Sequence, residues 1–101
     1  MKQLPRRNMV HQLKTVQPYF DDVASGNKTF EVRKNDRDFK VNDVLMLLEY
    51  EPDKADNQKS KGLTGKCVTA RITYILDTPK YCKDGYVILG FRPEKMLSSN
   101  K

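Results

Sequence analysis

From Gly26 to Phe39 the chain reads Gly-Asn-Lys-Thr-Phe-Glu-Val-Arg-Lys-Asn-Asp-Arg-Asp-Phe. Half of this segment is charged, through Lys28, Glu31, Arg33, Lys34, Asp36, Arg37 and Asp38, yet Phe30, Val32 and Phe39 are threaded among the charges. A disordered charged tail lacks such apolar alternation, and a fully buried strand has no use for so many charges. The pattern predicts an ordered strand and loop that hold cations and carboxylates at a fixed site. Glu31 and Arg33, two apart, share one strand face about 6.6 Å apart. There a carboxylate can accept from a base amino group while a planar guanidinium holds a phosphate or a carbonyl. Lys28 can bind a phosphate or carbonyl oxygen, or neutralise Glu31. The competing reading is an exposed strand face laced with ion pairs of little energetic worth.

Other residues are weaker candidates. Asn35 and Asp36 are explained by turn chemistry, which leaves Arg37 as the ligand contact of that loop. His11 is the single histidine; on a strand it lines or buttresses a cleft. Lys14 reads as a surface lysine until a site is placed beside it. Tyr50, Tyr74 and Tyr86 are able to stack a base, although strand aromatics more often serve as cross-strand partners. Tyr86, beside Gly85 at a strand start, is the first choice among them.

With 101 residues and 11.7 kDa the chain makes one domain with a modest core. It contains no apolar run long enough for a membrane helix. A basic start without an apolar signal core argues against secretion. Cys67 and Cys82, with one histidine, make a zinc site or any other metal site unexpected and suit two reduced thiols in the cytoplasm. No cofactor is expected. The net charge of +6 lies largely at the ends, in Lys2, Arg6 and Arg7 and in Arg92, Lys95 and Lys101 against Glu94. The body between Met9 and Phe91 is nearly balanced. Basic ends add affinity for any polyanion without making the body a nucleic-acid binder.

The elements that must position the charged segment follow from periodicity. Met9 to Val16 is a first strand. Gln17-Pro18 opens a two-turn helix with Asp21 and Asp22 at its positive end and Phe20, Val23 and Ala24 as its buried stripe. Ser25-Gly26 ends it, glycine supplying a left-handed residue. Lys28 to Arg33 is the second strand, Lys34 to Asp38 a loop, and Asn42-Asp43 a turn into an apolar strand from Val44 to Glu51. Pro52 to Gly62 lacks periodicity and reads as a mobile loop. Lys66 to Asp77 is a long strand, Thr78 to Asp84 a turn, and Gly85 to Phe91 the last strand. This composition predicts a mostly β, α+β domain over residues 9–91, a small, curled, mostly antiparallel barrel with one short helix. Residues 1–8 and 92–101 read as flexible tails.

His11-x-Leu13-Lys14, Pro18-Tyr19-Phe20, Gly26-x-Lys28-Thr29-Phe30-Glu31-x-Arg33-x-Asn35-Asp36-Arg37-x-Phe39, Asp43-x-Leu45, Glu49-Tyr50, Thr64-Gly65, Thr73-Tyr74-Ile75 and Gly85-Tyr86-Val87-x-Leu89-Gly90 together follow one pattern. It resembles a bacterial and phage branch of the ASCH domains, members of the PUA-like superfamily. The resemblance implies a PUA-like β-barrel with a cleft beside the helix and the charged strand. It also implies RNA or modified-nucleoside binding, with hydrolysis in some members. Small ASCH amidohydrolases that deacetylate acetylated cytidine are similar; Lys28 matches their lysine, while Glu31 stands where they carry a threonine, and Thr29 is a different position.

The expected ligand is therefore RNA or a nucleotide-like molecule, held by Lys28, Glu31, Arg33, Arg37, Tyr86, His11 and Lys14. A second expectation is a hydrolase of a modified nucleoside, with Glu31 as general base and Lys28 stabilising an oxyanion. A third, of a different class, is a protein-interaction module of phage or mobile-element origin, with the basic ends and the Pro52–Gly62 loop as its contacts.

Overall fold

In the computed structural model, which describes residues 7–56 and 59–98, the chain runs β1 (Val10–Thr15), α1 (Tyr19–Ala24), β2 (Phe30–Lys34), β3 (Val44–Tyr50), a 3-10 turn (Pro52–Lys54), β4 (Leu63–Leu76) and β5 (Tyr86–Ser98). The expected order of a strand, a short helix and four more strands is observed. All five strands form one sheet in the order β1-β3-β4-β5-β2. β1 and β3 are parallel, and the other three pairings are antiparallel. Irregularities in register at Leu48/Tyr50, Thr69/Ala70 and Ile72/Tyr74 bend the long strands, as bulges do, and curl the sheet into a half-barrel.

The expected barrel closure is replaced by something looser. β1 and β2 are the two edges of the sheet and share no ladder. Arginines cross the gap instead: Arg33 Nη2 donates to the Lys14 carbonyl at 2.9 Å and Arg37 Nη1 to the Gln12 carbonyl at 3.0 Å. Successive strand carbonyls point to alternate sides, so those of Gln12 and Lys14, two apart, project from the same edge. An edge strand leaves such groups unpaired by backbone, and long guanidinium side chains reach them where a neighbouring strand does not.

The core fills the concave face. His11, Leu13 and Thr15 of β1 and Leu45, Leu47 and Glu49 of β3 point inward at alternate positions. Val68, Ala70 and Ile72 of β4 and Val87, Leu89 and Phe91 of β5 complete the apolar lining. α1 lies across this face and inserts Phe20 and Val23, both fully buried, each contributing roughly 1.5–3 kcal/mol. Ala24, expected in that stripe, is exposed, because six residues make too few turns to bury three positions. A helix this short persists only through packing. Gly26 ends the motif at φ +86°, with its N–H on the Val23 carbonyl.

Several boundaries differ from the sequence expectation: β2 begins at Phe30 rather than Lys28, and β4 at Leu63 rather than Lys66. β5 does not stop at Phe91 but continues to Ser98, paired with β4 from Lys66 to Arg71. Its apolar alternation ends at Phe91, so periodicity carried no signal beyond that point, whereas backbone pairing needs none. The Pro52–Gly62 loop is closed at its base by the Glu51 N–H to the Gly62 carbonyl at 2.8 Å; Asn57 and Gln58 in it lie outside the described residues. So do Lys2, Arg6 and Lys101 of the two basic ends. No helix among the described residues is long and apolar enough to cross a membrane.

Candidate ligand cleft

β2 reverses the usual alternation of a half-buried strand. Its apolar residues face out, Phe30 being 45% and Val32 53% exposed, while Glu31 faces in and is 4% exposed. The register against β5 fixes this arrangement: Glu31 lies opposite Leu89 and Arg33 opposite Val87, both core positions. A slip of one residue would bury Phe30 and Val32 and expel Glu31. The register is held at its ends by the Phe91 N–H to the Thr29 carbonyl and the Asn35 N–H to the Gly85 carbonyl.

Glu31 is held by two cations from its own segment. Lys28 Nζ donates to Oε2 at 2.6 Å and also to the Phe30 carbonyl at 2.6 Å. Arg33 Nε donates to Oε1 at 3.0 Å, and Arg33 Nη2 reaches on to Thr15 Oγ1 at 3.1 Å. Lys28 is placed by the end of α1, where its N–H binds the Asp22 carbonyl at 2.9 Å; its ammonium lies 4.9 Å from the Phe30 ring and 5.8 Å from the Tyr19 ring. Burying a carboxylate costs several kcal/mol of hydration, and paired cations offset that loss only with good geometry. Here each oxygen has a charged donor, and each keeps capacity for another, since a carboxylate accepts about four hydrogen bonds.

The trio forms one wall of an open cleft of about 460 Å³ lined by Lys14, Thr15, Val16, Tyr19, Lys28, Phe30, Glu31, Val32 and Arg33. This is the gap between the β1 and β2 edges, with the start of α1 as its lip. Among its charged lining residues, Lys14, Lys28 and Arg33 outnumber Glu31, so the cleft carries a surplus of positive charge. Its volume is in the range of small-ligand sites.

The other sequence candidates fall elsewhere. Arg37 and Tyr86 line a neighbouring depression of about 350 Å³ that shares Val32 and Arg33 with the first; the Arg37 guanidinium is engaged by the Gln12 carbonyl, and Lys83 Nζ lies 5.2 Å from the Tyr86 ring. His11 lines neither. It sits at the start of β1, buried, with Nε2 2.8 Å from Asp43 Oδ2 and its ring 4.7 Å from that of Phe39. Asp43 also accepts from the Met9 and Lys40 backbone N–H groups, so His11 fastens the Asn42-Asp43 turn to β1. Tyr50 lies under the Lys14 ammonium at 4.8 Å, and Tyr74 stands on the outer face of the sheet, 65% exposed.

Thr15 and Tyr19, which line the cleft, carried no assignment from the sequence. Outside the cleft lining, Glu49 is a further buried carboxylate in addition to Glu31 and Asp43, opposite Thr15 in the β1–β3 register. Neutral donors hold Glu49: Gln17 Nε2 at 2.6 Å and Thr64 Oγ1 at 2.7 Å. The alternation Leu45, Leu47, Glu49 was the readable signal that its carboxylate points inward. Among the described residues no group of His, Cys, Asp and Glu side chains is arranged to hold a metal ion, and both cysteines are free.

One relative is the uncharacterized 12.9 kDa protein in GpA 3′ region of Escherichia phage P2, 37% identical over 81 residues. That match covers 79% of this chain and 65% of the phage protein, so the chain spans just under two thirds of the relative's length. The model of the domain of unknown function DUF3850 matches residues 10–91, which include the whole cleft; the chain belongs to that family.

Proposed function

We propose that this protein has a PUA-like fold of the ASCH type, left open between β1 and β2, whose cleft there binds a nucleotide-like ligand, alone or within RNA. The observation that carries this reading is the buried Glu31 carboxylate turned into the cleft while Phe30 and Val32 of the same strand face solvent. Folding alone favours the opposite register, because burying the two apolar side chains is worth a few kcal/mol and burying the carboxylate is costly. A ligand that uses the carboxylate explains the arrangement. Glu31 then accepts from an exocyclic amino or ring imino group of a base. Tyr19 offers a ring at the lip, and the surplus charge of Lys14, Lys28 and Arg33 suits a phosphate. The motif resemblance, running from His11 to Gly90, points to the same class of ligand.

An amide NMR titration with short single-stranded RNA, nucleoside monophosphates and acetylated cytidine tests this. Saturating shifts confined to Lys14–Tyr19 and Lys28–Arg33 are expected. About three cationic contacts predict a log–log salt slope near −2 for a single strand. Shifts absent from both segments would remove the cleft as a nucleotide site and favour a protein partner. Turnover of acetylated cytidine, lost in Glu31→Gln, would move the reading from binding to hydrolysis.

A further inference from the structure

The same strand that turns Glu31 inward turns aromatic surface outward. On the outer face, Phe30 of β2 lies opposite Gly90 of β5, and Gly90 lies opposite Tyr74 of β4. The result is a row across three strands: an exposed ring, a glycine, an exposed ring. Phe30 and Tyr74 thus stand about 10 Å apart, two inter-strand spacings. Beside this row lies a second, Val32, Ile88 and Leu76, of which Val32 is exposed and the other two are partly buried.

Gly90 is not demanded by the backbone, since its φ is outside the left-handed range that the other glycines occupy. Nor is it demanded by crowding: an added Cβ would meet Tyr74 Cβ at 3.5 Å and the Tyr74 carbonyl at 3.7 Å, ordinary contact distances. A glycine inside a strand weakens it and marks either a bulge, such as the register irregularity at Ile72/Tyr74 beside Gly90, or a place where something outside comes close; in both cases it leaves open surface. Here that surface is a notch between two solvent-facing rings. Cations stand at both ends of the platform. Lys34 lies two residues beyond Val32 on the same outer face, and Arg92 lies two beyond Gly90, its side chain well exposed and 3.6 Å from Glu94.

We propose that this outer face of β2, β5 and β4 is a stacking platform for single-stranded nucleic acid, with successive bases on Phe30 and Tyr74 and the Gly90 notch admitting the strand between them. Ring faces take any base, and flanking cations take the phosphates, so recognition here is by strand character rather than by sequence. The partner class is that of the cleft reading, but the site is separate: the cleft and the platform are the two faces of β2. A strand whose one base enters the cleft over Phe30, which borders both, continues onto the platform.

Fluorescence anisotropy with a fluorescein-labelled oligouridylate, and separately with oligothymidylate, decides the matter. Phe30→Ala and Tyr74→Ala are each expected to weaken oligonucleotide binding about ten-fold, and Tyr74→Phe to keep it. Gly90→Val is expected to weaken it several-fold. All of these positions are outward-facing, and thermal melts check that each variant is folded. Glu31→Gln separates the two sites: it should reduce mononucleotide binding in the cleft, while Tyr74→Ala should weaken oligomer binding by the same factor in the Glu31→Gln background as in the wild type. The proposal is overturned if the folded Tyr74→Ala and Gly90→Val variants bind both oligomers like wild type, or if the wild-type protein binds neither. Loss of self-association in Tyr74→Ala at unchanged oligonucleotide affinity would overturn it too, assigning the face to a protein interface.

Discussion

Asp43 and Glu31 are both buried carboxylates beside a cation or a histidine, yet they are built differently. Asp43 has no exposed surface, and its oxygens accept from backbone N–H groups of Met9 and Lys40 as well as from His11. Backbone donors cannot leave without unfolding a turn, so this carboxylate is committed to holding the chain. Glu31 takes its bonds from Lys28 and Arg33 side chains at the wall of an open cleft. Those donors can rotate or share, so this carboxylate keeps capacity for a newcomer. The kind of donor, rather than the degree of burial, separates a fastening from a site.

The comparison breaks or sharpens under mutation. Asp43→Ala should be the most damaging change. It strands the His11 ring and two backbone donors, and a loss of about 3–5 kcal/mol is expected, read by urea denaturation. At concentrations where the variant remains folded, its nucleotide affinity should equal that of the wild type; a selective loss of affinity would place Asp43 in the site after all.

Glu31→Gln should show the reverse profile. Lys28 and Arg33 have side chains only 17% and 24% exposed, but the substituted amide oxygen still accepts from one of them, limiting the loss of stability to about 1–3 kcal/mol. Calorimetric affinity for a nucleoside monophosphate should fall ten-fold or more, corresponding to a charged hydrogen bond of about 1.5–3 kcal/mol. A variant as unstable as Asp43→Ala with unchanged affinity would erase the distinction between the two carboxylates.

Arg37→Ala should cost less, about 0.5–1.5 kcal/mol, because it removes one side-chain bond across the β1–β2 gap. Faster amide exchange in β1 than in β3 of the same variant is the expected signature, and uniform exchange would show that the gap does not depend on this arginine.

The smallest effect belongs to Glu94, a carboxylate at the surface. Its hydrogen bond from Arg71, more than the charge of Arg71 and Arg92, holds its carboxyl below the usual carboxylate range. A depressed folded-state value adds stability above the unfolded value and loses it as pH falls through the folded one. Melting temperatures taken from neutral pH into the acid range should therefore decline slightly less in Glu94→Gln than in wild type. An identical decline would mean that the surface group contributes nothing.

Much of the scaffold was legible because hydrophobic burial writes a period into the sequence. The succession of elements along the chain, the short helix with Phe20 and Val23 inside, and the Asn42-Asp43 turn all follow from local pattern and turn chemistry; the order of strands in the sheet and the parallel β1–β3 pairing do not. The extension of β5 from Arg92 to Ser98 left no such mark, since those residues are exposed on a paired strand whose hydrogen bonds are independent of side-chain type. Within the site, Lys28, Glu31 and Arg33 were marked by charge among apolar residues. Thr15 and Tyr19 were not, because each looks ordinary until the fold brings it alongside.

What the sequence determined by itself was the alternation along β2: Glu31 and Arg33 on one face, Phe30 and Val32 on the other. Which face is the inside could not be read there, for a period of two is satisfied equally by either choice. Only the tertiary structure decided it, by pairing Glu31 with Leu89 and Arg33 with Val87 and by bringing the β1 carbonyls within reach of Arg33 and Arg37. The physical reason is that sidedness is a property of register and of sheet curvature, and both are set by residues far away in the chain.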